Sequence, residues 1–277
     1  MGNVLEVEGL NIWNTQTGQK IVHDVSFQLR NGSCLAIVGE SGSGKTITCR
    51  SIMRLNKGWL GQEGTIIFKG EHLNKLAEKE MRKKRGKELC MILQNGMSAF
   101  DPSSVIGVHL QETLSEHYGW NKKEIVRRMS AAMEQVMLKN PIDVMDKYPH
   151  QLSGGMLQRV MIALALVLEP DLIIADEPTT ALDSIAQYEV LEQFARLRAQ
   201  LGCSMLFISH DLAAVKKLAD EVMVMKDGRV VERGSVQKIF YGPEHDYTKY
   251  LVSSRMTLSN HFKRLMGANT IAEGGSS

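Results

Sequence analysis

Four cysteines, six prolines and an aromatic share of 6% are small numbers for a chain of 277 residues, and each shortage excludes something. Cys34, Cys49, Cys90 and Cys203 are scattered, without the close pairs that metal sites use and without need of an oxidising compartment. Cys34 and Cys203 fall in apolar strand-like runs, where a thiol packs as a small hydrophobe. Long apolar runs are missing as well: the longest, Val160 to Leu168, falls far short of the roughly 20 residues that span a bilayer. Charge of one sign is not in excess. Lys plus Arg total 33 against 31 for Asp plus Glu, so no strong field invites nucleic acid and no acidic tail solvates a segment. The one basic cluster, Lys79 to Lys87, reads as a solvated helix face. Met1-Gly2-Asn3-Val4-Leu5-Glu6 lacks a basic stretch followed by an apolar one, so no signal peptide is expected, and the chain reads as soluble by itself and cytosolic.

What is present is ample apolar content for a buried core, ordered in alternating patterns. Residues Leu5 to Leu29 alternate in the manner of short strands, and Asn31-Gly32 is a turn signal before the buried strand Cys34-Leu35-Ala36-Ile37-Val38. Ile47, Ile52, Met53 and Leu55 predict a helix, and strand character resumes at Gly64 to Phe68 and Leu89 to Leu93. From about Val105 to Ala165 the period becomes helical, with Val126, Met129, Met133, Val136 and Met137 on one spacing, and Met as a flexible core filler. Strands return at Leu172 to Ala175, Ser204 to Ile208 and Glu221 to Met225, with a helix from about Ala186 to Leu201 between the first two. Lys226-Asp227-Gly228-Arg229 reads as a hairpin turn. Strands alternating with helices predict an α/β fold with a mostly parallel sheet covered on both faces. The last forty residues read as helix followed by a loose polar tail.

Two glycine-rich anion sites stand in this frame, and only one carries a lysine. Gly39-Glu40-Ser41-Gly42-Ser43-Gly44-Lys45-Thr46 matches G-x-x-x-x-G-K-[ST], after a buried strand and before a helix. Gly39, Ser41, Gly42, Ser43 and Gly44 let backbone N–H groups converge on phosphate oxygens at a helix start. Lys45 is placed to neutralise the β- and γ-phosphates of ATP, and the Thr46 hydroxyl to ligate Mg²⁺. Leu172-Ile173-Ile174-Ala175 ends in Asp176-Glu177. An acid at the C-terminal end of a central strand lies beside the phosphate loop, so Asp176 is expected to hold Mg²⁺ and Glu177 to polarise the attacking water as general base. The second glycine site, Leu152-Ser153-Gly154-Gly155-Met156, forms an anion-binding nest at a helix start, suited to closing over a nucleotide held by another subunit.

The Ser153-Gly154-Gly155-Met156 run followed by Gln158-Arg159 resembles the signature of the ABC-type ATPases. So do Gln94 after a strand, Ala181-Leu182-Asp183 past Glu177-Pro178-Thr179-Thr180, and Ser209-His210-Asp211 after the next strand, all in the family's order over about residues 4 to 253. The resemblance implies a P-loop NTPase (RecA-like) core with a mostly parallel sheet, an antiparallel β subdomain and a helical insert. It divides the chain into an ATP-binding core (1–95 and 166–235), a helical signature subdomain (96–165) and a C-terminal extension and tail (236–277). Gln94 matches the glutamine that touches Mg²⁺ or the water and reports to the membrane partner. His210 matches the histidine that contacts the γ-phosphate, and Asp183 the aspartate at the dimer seam. Ser153, Gly154 and Gly155 match the residues that bind the γ-phosphate across the dimer. Trp13 falls where the family sets an aromatic ring against adenine, though a strand-packing role explains it too.

Met156, where glutamine is usual, resembles the peptide and nickel import branch, as do Met91 to Pro102 and Pro243-Glu244-His245-Asp246-Tyr247-Thr248-Lys249-Tyr250-Leu251. Within it the chain is most similar to the first ATPase of nickel/cobalt or metallophore importers, with di- and oligopeptide importers as the alternative. No cysteine follows Cys203, so the iron–sulfur extension of some oligopeptide members is not supported. The resemblance implies ATP and Mg²⁺ as cofactors and a second ATPase subunit, with a heterodimer favoured over a homodimer. It further implies two transmembrane permease subunits, an extracytoplasmic substrate-binding protein reached indirectly, no nucleic acid, and a place on the cytoplasmic face of the membrane. Gln94 to about Val108 is expected to dock a permease helix, with Phe100 as the residue to test. The rivals are a DNA-associated or translation-associated ABC ATPase and a scaffold with a degenerate nucleotide site. Against them stand the lack of coiled coils, zinc modules, a second cassette or basic surfaces, and the intact Lys45, Asp176, Glu177 and His210.

Overall fold

The computed structural model describes residues 2–180 and 182–254, so the C-terminal tail expected from sequence lies outside the described residues. Two sheets carry the fold. The first is antiparallel, in the order β2-β1-β4-β5, from β1 (Asn3–Asn14), β2 (Lys20–Arg30), β4 (Leu60–Phe68) and β5 (Glu71–His72). The second has six strands in the order β10-β9-β3-β8-β7-β6. Its members are β3 (Cys34–Val38), β6 (Leu89–Ile92), β7 (Leu172–Asp176), β8 (Ser204–Ile208), β9 (Glu221–Lys226) and β10 (Arg229–Ser235). All its pairings are parallel except the β9–β10 hairpin at one edge. Every residue of β3, β7 and β8 is buried, which is why these strands read as continuous apolar runs.

The helices are α1 (Lys45–Ile52), α2 (Glu78–Lys84), α3 (Ile106–Tyr118), α4 (Lys122–Gln135), α5 (Pro141–Met145), α6 (Gly154–Leu168), α7 (Ser184–Leu201), α8 (Leu212–Leu218) and α9 (Val236–Tyr241). A further helical segment covers residues 246–254. Helices α3 to α6 form the helical stretch foreseen from the spacing of Val126, Met129, Met133, Val136 and Met137. Met129 and Met133 are wholly buried, whereas Met137 lies past the end of α4 at φ 60° and is 49% exposed, so it is not a core filler. Helix α6 packs on α4 and α7 and so belongs to both the helical stretch and the sheet core.

The reading of the N-terminal strands changes. Leu5 to Leu29 forms two long strands rather than several short ones, because register shifts at Val7/Leu10 and Leu10/Ile12 break the alternation without ending the pairing. The hairpin at Asp227-Gly228 is as expected, with φ of 47° and 73° at its two central positions. The four cysteines are buried, and burial pushes the thiols of Cys34 and Cys90 up to about 12. They are unreactive packing residues.

Candidate active site

The site grows from the end of β3. The chain leaves the sheet at Gly39, rounds a loop and enters α1 at Lys45, with Gly44 capping that helix in the left-handed region at φ 96°. Lys45 is buried, and its Nζ donates to the Gly39 carbonyl at 3.0 Å, the Glu40 carbonyl at 2.7 Å and Ser43 Oγ at 3.5 Å. The loop thus holds its own cation at the mouth of the anion cradle. Thr46 follows, and its Oγ1 donates to Asp176 Oδ1 at 2.8 Å across to the end of β7. This bond joins two of the three expected metal-binding residues directly, Gln94 being the third.

Asp176 is 2% exposed. Burial pushes its carboxyl above the usual carboxylate range, with the Thr46 hydroxyl and the Arg50 and Lys45 charges opposing and the Glu177 charge adding to the rise. Glu177 sits one residue past the strand at φ 46°, left-handed backbone that is uncommon outside glycine, held by its N–H donating to the Ile208 carbonyl at 3.0 Å. Such strain concentrates where a side chain must be aimed. Three groups meet Glu177 Oε2: Thr180 Oγ1 at 3.1 Å, Gln94 Nε2 at 3.4 Å and His210 Nδ1 at 3.3 Å. Lys45, Thr46, Asp176, Glu177, Gln94 and His210 therefore converge at the C-terminal ends of parallel strands, the crevice where open α/β sheets bind ligands.

The remaining sequence-derived residues stand apart from this cluster. Ser153 is the N-cap of α6, accepting from the Met156 N–H at 3.2 Å, and Gly154 and Gly155 form that helix's first turn. Gly155 faces α7: a Cβ there would lie 3.6 Å from Ala186 Cβ and 3.9 Å from Leu182 Cδ2. Asp183 caps α7, its Oδ1 accepting from the N–H groups of Ile185 at 3.1 Å and Ala186 at 3.0 Å. Trp13 pairs with Gly61 across the β1–β4 ladder, and its half-buried indole lies over that glycine. Phe100 is 8% exposed in the helical core, edge-on to His109 at a centroid distance of 5.5 Å. It packs in the core cluster, so a substitution there reports on folding first, which corrects its choice as a docking probe.

Two contributors were not foreseen. Thr180 orients Glu177, and its only sequence signal is a hydroxyl three residues past the acid. Gln158, 1% exposed on an otherwise apolar helix face, donates to the Leu93 carbonyl at 3.3 Å and ties α6 to the strand end that presents Gln94. Arg159 extends the same tie by an ion pair with Glu189 on α7.

The donor set fits a hard divalent cation. A hydroxyl and a carboxylate oxygen stand 2.8 Å apart beside an anion cradle, and Mg²⁺ takes few protein ligands and completes its shell with water and phosphate oxygens. Among the described residues no group of three or more His, Cys, Asp or Glu could hold a metal by itself.

A phosphate loop opening onto a parallel sheet, with hydroxyl, carboxylates, amide and imidazole gathered beside it, defines a nucleoside triphosphatase of the P-loop class. The chain belongs to the ABC transporter family, whose model matches residues 22–180, and it is an ATPase of that family. It is 48% identical over 263 residues to the metal-staphylopine import system ATP-binding protein of Staphylococcus aureus, covering 95% of this chain and 97% of that one. It is 43% identical to the oligopeptide transport ATP-binding protein of Bacillus subtilis, covering 93% of this chain and 73% of that one. Among solved structures, a subunit of an ABC transporter complex from Clostridium perfringens matches with a TM-score of 0.71 and 25% identity, over 95% of this chain and all of that one. A dimeric ATP-binding cassette bound to ADP and phosphate matches with a TM-score of 0.74 over 84% of this chain and 98% of that one, and at 24% identity it speaks for the fold alone.

Proposed function

We propose that this chain binds and hydrolyses MgATP to drive a membrane importer of nickel, cobalt or a metal–metallophore complex. The observation that carries the ATPase chemistry is the convergence of Thr46, Asp176, Gln94, His210 and Glu177 beside the Lys45 loop. The metal cargo is supported by the 48% identity to a metal-staphylopine import ATPase along nearly the whole of both chains. A di- or oligopeptide cargo is the second reading, supported by relatives at 43% identity. We also take residues 1–95 and 166–235 as the ATP-binding core, 96–165 as the signature unit and 236–277 as an extension.

In this reading Gly39 to Gly44 direct backbone N–H groups at the phosphates, and Lys45 exchanges loop carbonyls for β- and γ-phosphate oxygens. Thr46, Asp176 and Gln94 would hold Mg²⁺, which supplies charge neutralisation on the phosphates. Glu177, held on one oxygen by Thr180, Gln94 and His210, accepts a proton from the attacking water, and His210 turns toward the γ-phosphate. Trp13 stacks on adenine. Ser153, Gly154, Gly155 and Asp183 serve a nucleotide held by the facing subunit, a second ATPase chain more readily than a second copy. Among the described residues no helix is long and apolar enough to cross a membrane. In this reading, supported by the likeness to import-system ATPases, two permease subunits carry the pathway and the chain works at their cytoplasmic face.

Uptake by cells lacking the chain, comparing labelled nickel or cobalt with a labelled dipeptide, tests this reading. Loss of metal uptake alone is expected. Loss of dipeptide uptake alone would move the chain to the peptide importers, and loss of neither would remove the transport role.

A further inference from the structure

The phosphate loop is braced from a part of the chain that its motif does not include. The N–H of Glu40 donates to the Tyr247 hydroxyl at 3.0 Å, across a separation of 207 residues. The carbonyl of the same Glu40 accepts from Lys45 Nζ at 2.7 Å. One residue of the loop is therefore fixed on one side by Tyr247 and on the other by the lysine that the phosphates must meet. The stretch around it has little freedom: a Cβ at Gly39 would lie 2.2 Å from the Met225 carbonyl oxygen, so the loop already abuts the end of β9.

Tyr247 is itself held on several sides. It is 7% exposed, and Lys226 Nζ lies 5.1 Å from its ring centroid. Its own N–H donates to His245 Nδ1 at 3.1 Å. The turn before it is clamped to β10, where the Glu232 carboxylate accepts from the N–H groups of Glu244 at 2.9 Å and His245 at 3.1 Å. Beyond it, Leu251 and Val252 are buried in the same apolar cluster as Val38, the last residue of the strand that feeds the loop. The hydroxyl thus reaches Glu40 from a rigid support.

We propose that Tyr247 is a positioning residue for ATP binding: its hydroxyl fixes the Glu40 peptide so that Lys45 is presented to the β- and γ-phosphates. The inference rests on Gly39 to Thr46 being the ATP site, and it assigns to the C-terminal segment a direct part in that site. The loss of affinity expected without the hydroxyl is about 3- to 10-fold, which converts to about 0.6–1.4 kcal/mol, within the range of a single hydrogen bond.

The test uses the purified full chain with a fluorescent ATP analogue and steady-state ATPase assays. Tyr247→Phe keeps the ring and removes only the hydroxyl. It is expected to raise Kd and KM for ATP about 3- to 10-fold while kcat changes less than twofold and the nucleotide-free melting temperature falls by no more than about 5 °C. Tyr250→Phe, altering a tyrosine that is 59% exposed three residues on, should change none of these. Unaltered Kd and KM in a folded Tyr247→Phe would overturn the proposal. So would a lowered melting temperature with unaltered KM, since the tyrosine would then act only in folding. Lys45→Ala separates this from the underlying reading: if it still binds ATP normally, the ATP site is misassigned, whatever Tyr247 does.

Discussion

At the scale of single residues, the chemistry divides between two adjacent acids with opposite environments. Glu177 sits beyond the strand among three donors, whereas Asp176 is buried at its end with Thr46. Glu177→Gln keeps the shape and most hydrogen bonds but cannot take a proton. It is expected to bind ATP within about threefold of the parent and to lose at least about 100-fold in turnover, measured by phosphate release. Asp176 makes the complementary prediction. Its native carboxyl titrates above the unfolded value, so the folded state holds more protons through that window and stability declines as pH rises through it. Asp176→Asn should therefore melt higher than the parent at pH 7 without nucleotide, as followed by thermal unfolding. The gain should vanish in acid, where the parent's Asp176 is protonated in the folded and unfolded states alike, and at pH 7 the variant should lose MgATP hydrolysis. An equal or lower melting temperature at pH 7 would mean that Thr46 and the nearby cations outweigh burial. The motif letters of Lys45, Thr46, Asp176 and Glu177 were readable from sequence because spacing on a strand–loop–helix unit fixes them. The support from Thr180 and Tyr247 was not, since a hydroxyl's value depends on what folding brings to it.

At the scale of elements, long apolar runs and helical periods were legible, while bulged pairing was not. Strand β1 lies between β2 and β4 and pairs with both along its length, and around Gly9, at φ 58°, the register of both ladders shifts, so alternation breaks there although the pairing continues. The same limit applied to Phe100. Its place in a loop between a strand and a helix suggested a contact surface, and packing turned it inward, since an aromatic side chain that can reach a core is buried at a gain of about 1.5–3 kcal/mol. Phe100→Asp would thus unfold the helical stretch before reporting on a partner. Val108, on α3 within the expected docking segment and 40% exposed, is the appropriate probe. Val108→Asp should leave ATPase activity of the purified chain within about twofold and its melting temperature within about 2 °C, and should lower transport in cells at least tenfold. Unchanged transport would take the permease contact away from this face.

At the scale of the whole molecule, the proposed function divides the site into a crevice held by one subunit and a part that faces another. Lys45, Thr46, Asp176, Glu177, Gln94 and His210 gather in one crevice, while Ser153 and Asp183 spend their side chains capping the starts of α6 and α7. Near those caps Ile185 is 74% exposed and Tyr188 62% exposed, large apolar side chains that a lone subunit leaves in water. A site completed by another subunit has a kinetic signature that a self-sufficient one lacks. The specific ATPase activity of the chain alone should be low and rise with protein concentration if two copies can pair. It should stay low at all concentrations, and rise on adding a second ATPase chain of the same importer, if the heterodimer is required. In either case Ser153→Asp, which sets a carboxylate against the γ-phosphate of the facing site, should abolish that rise while leaving Kd for ATP within about threefold, because repulsion acts only across the closed seam. High specific activity independent of concentration, and insensitive to Ser153→Asp, would make the crevice of one subunit complete. Ser153 would then be the cap of α6 and nothing more.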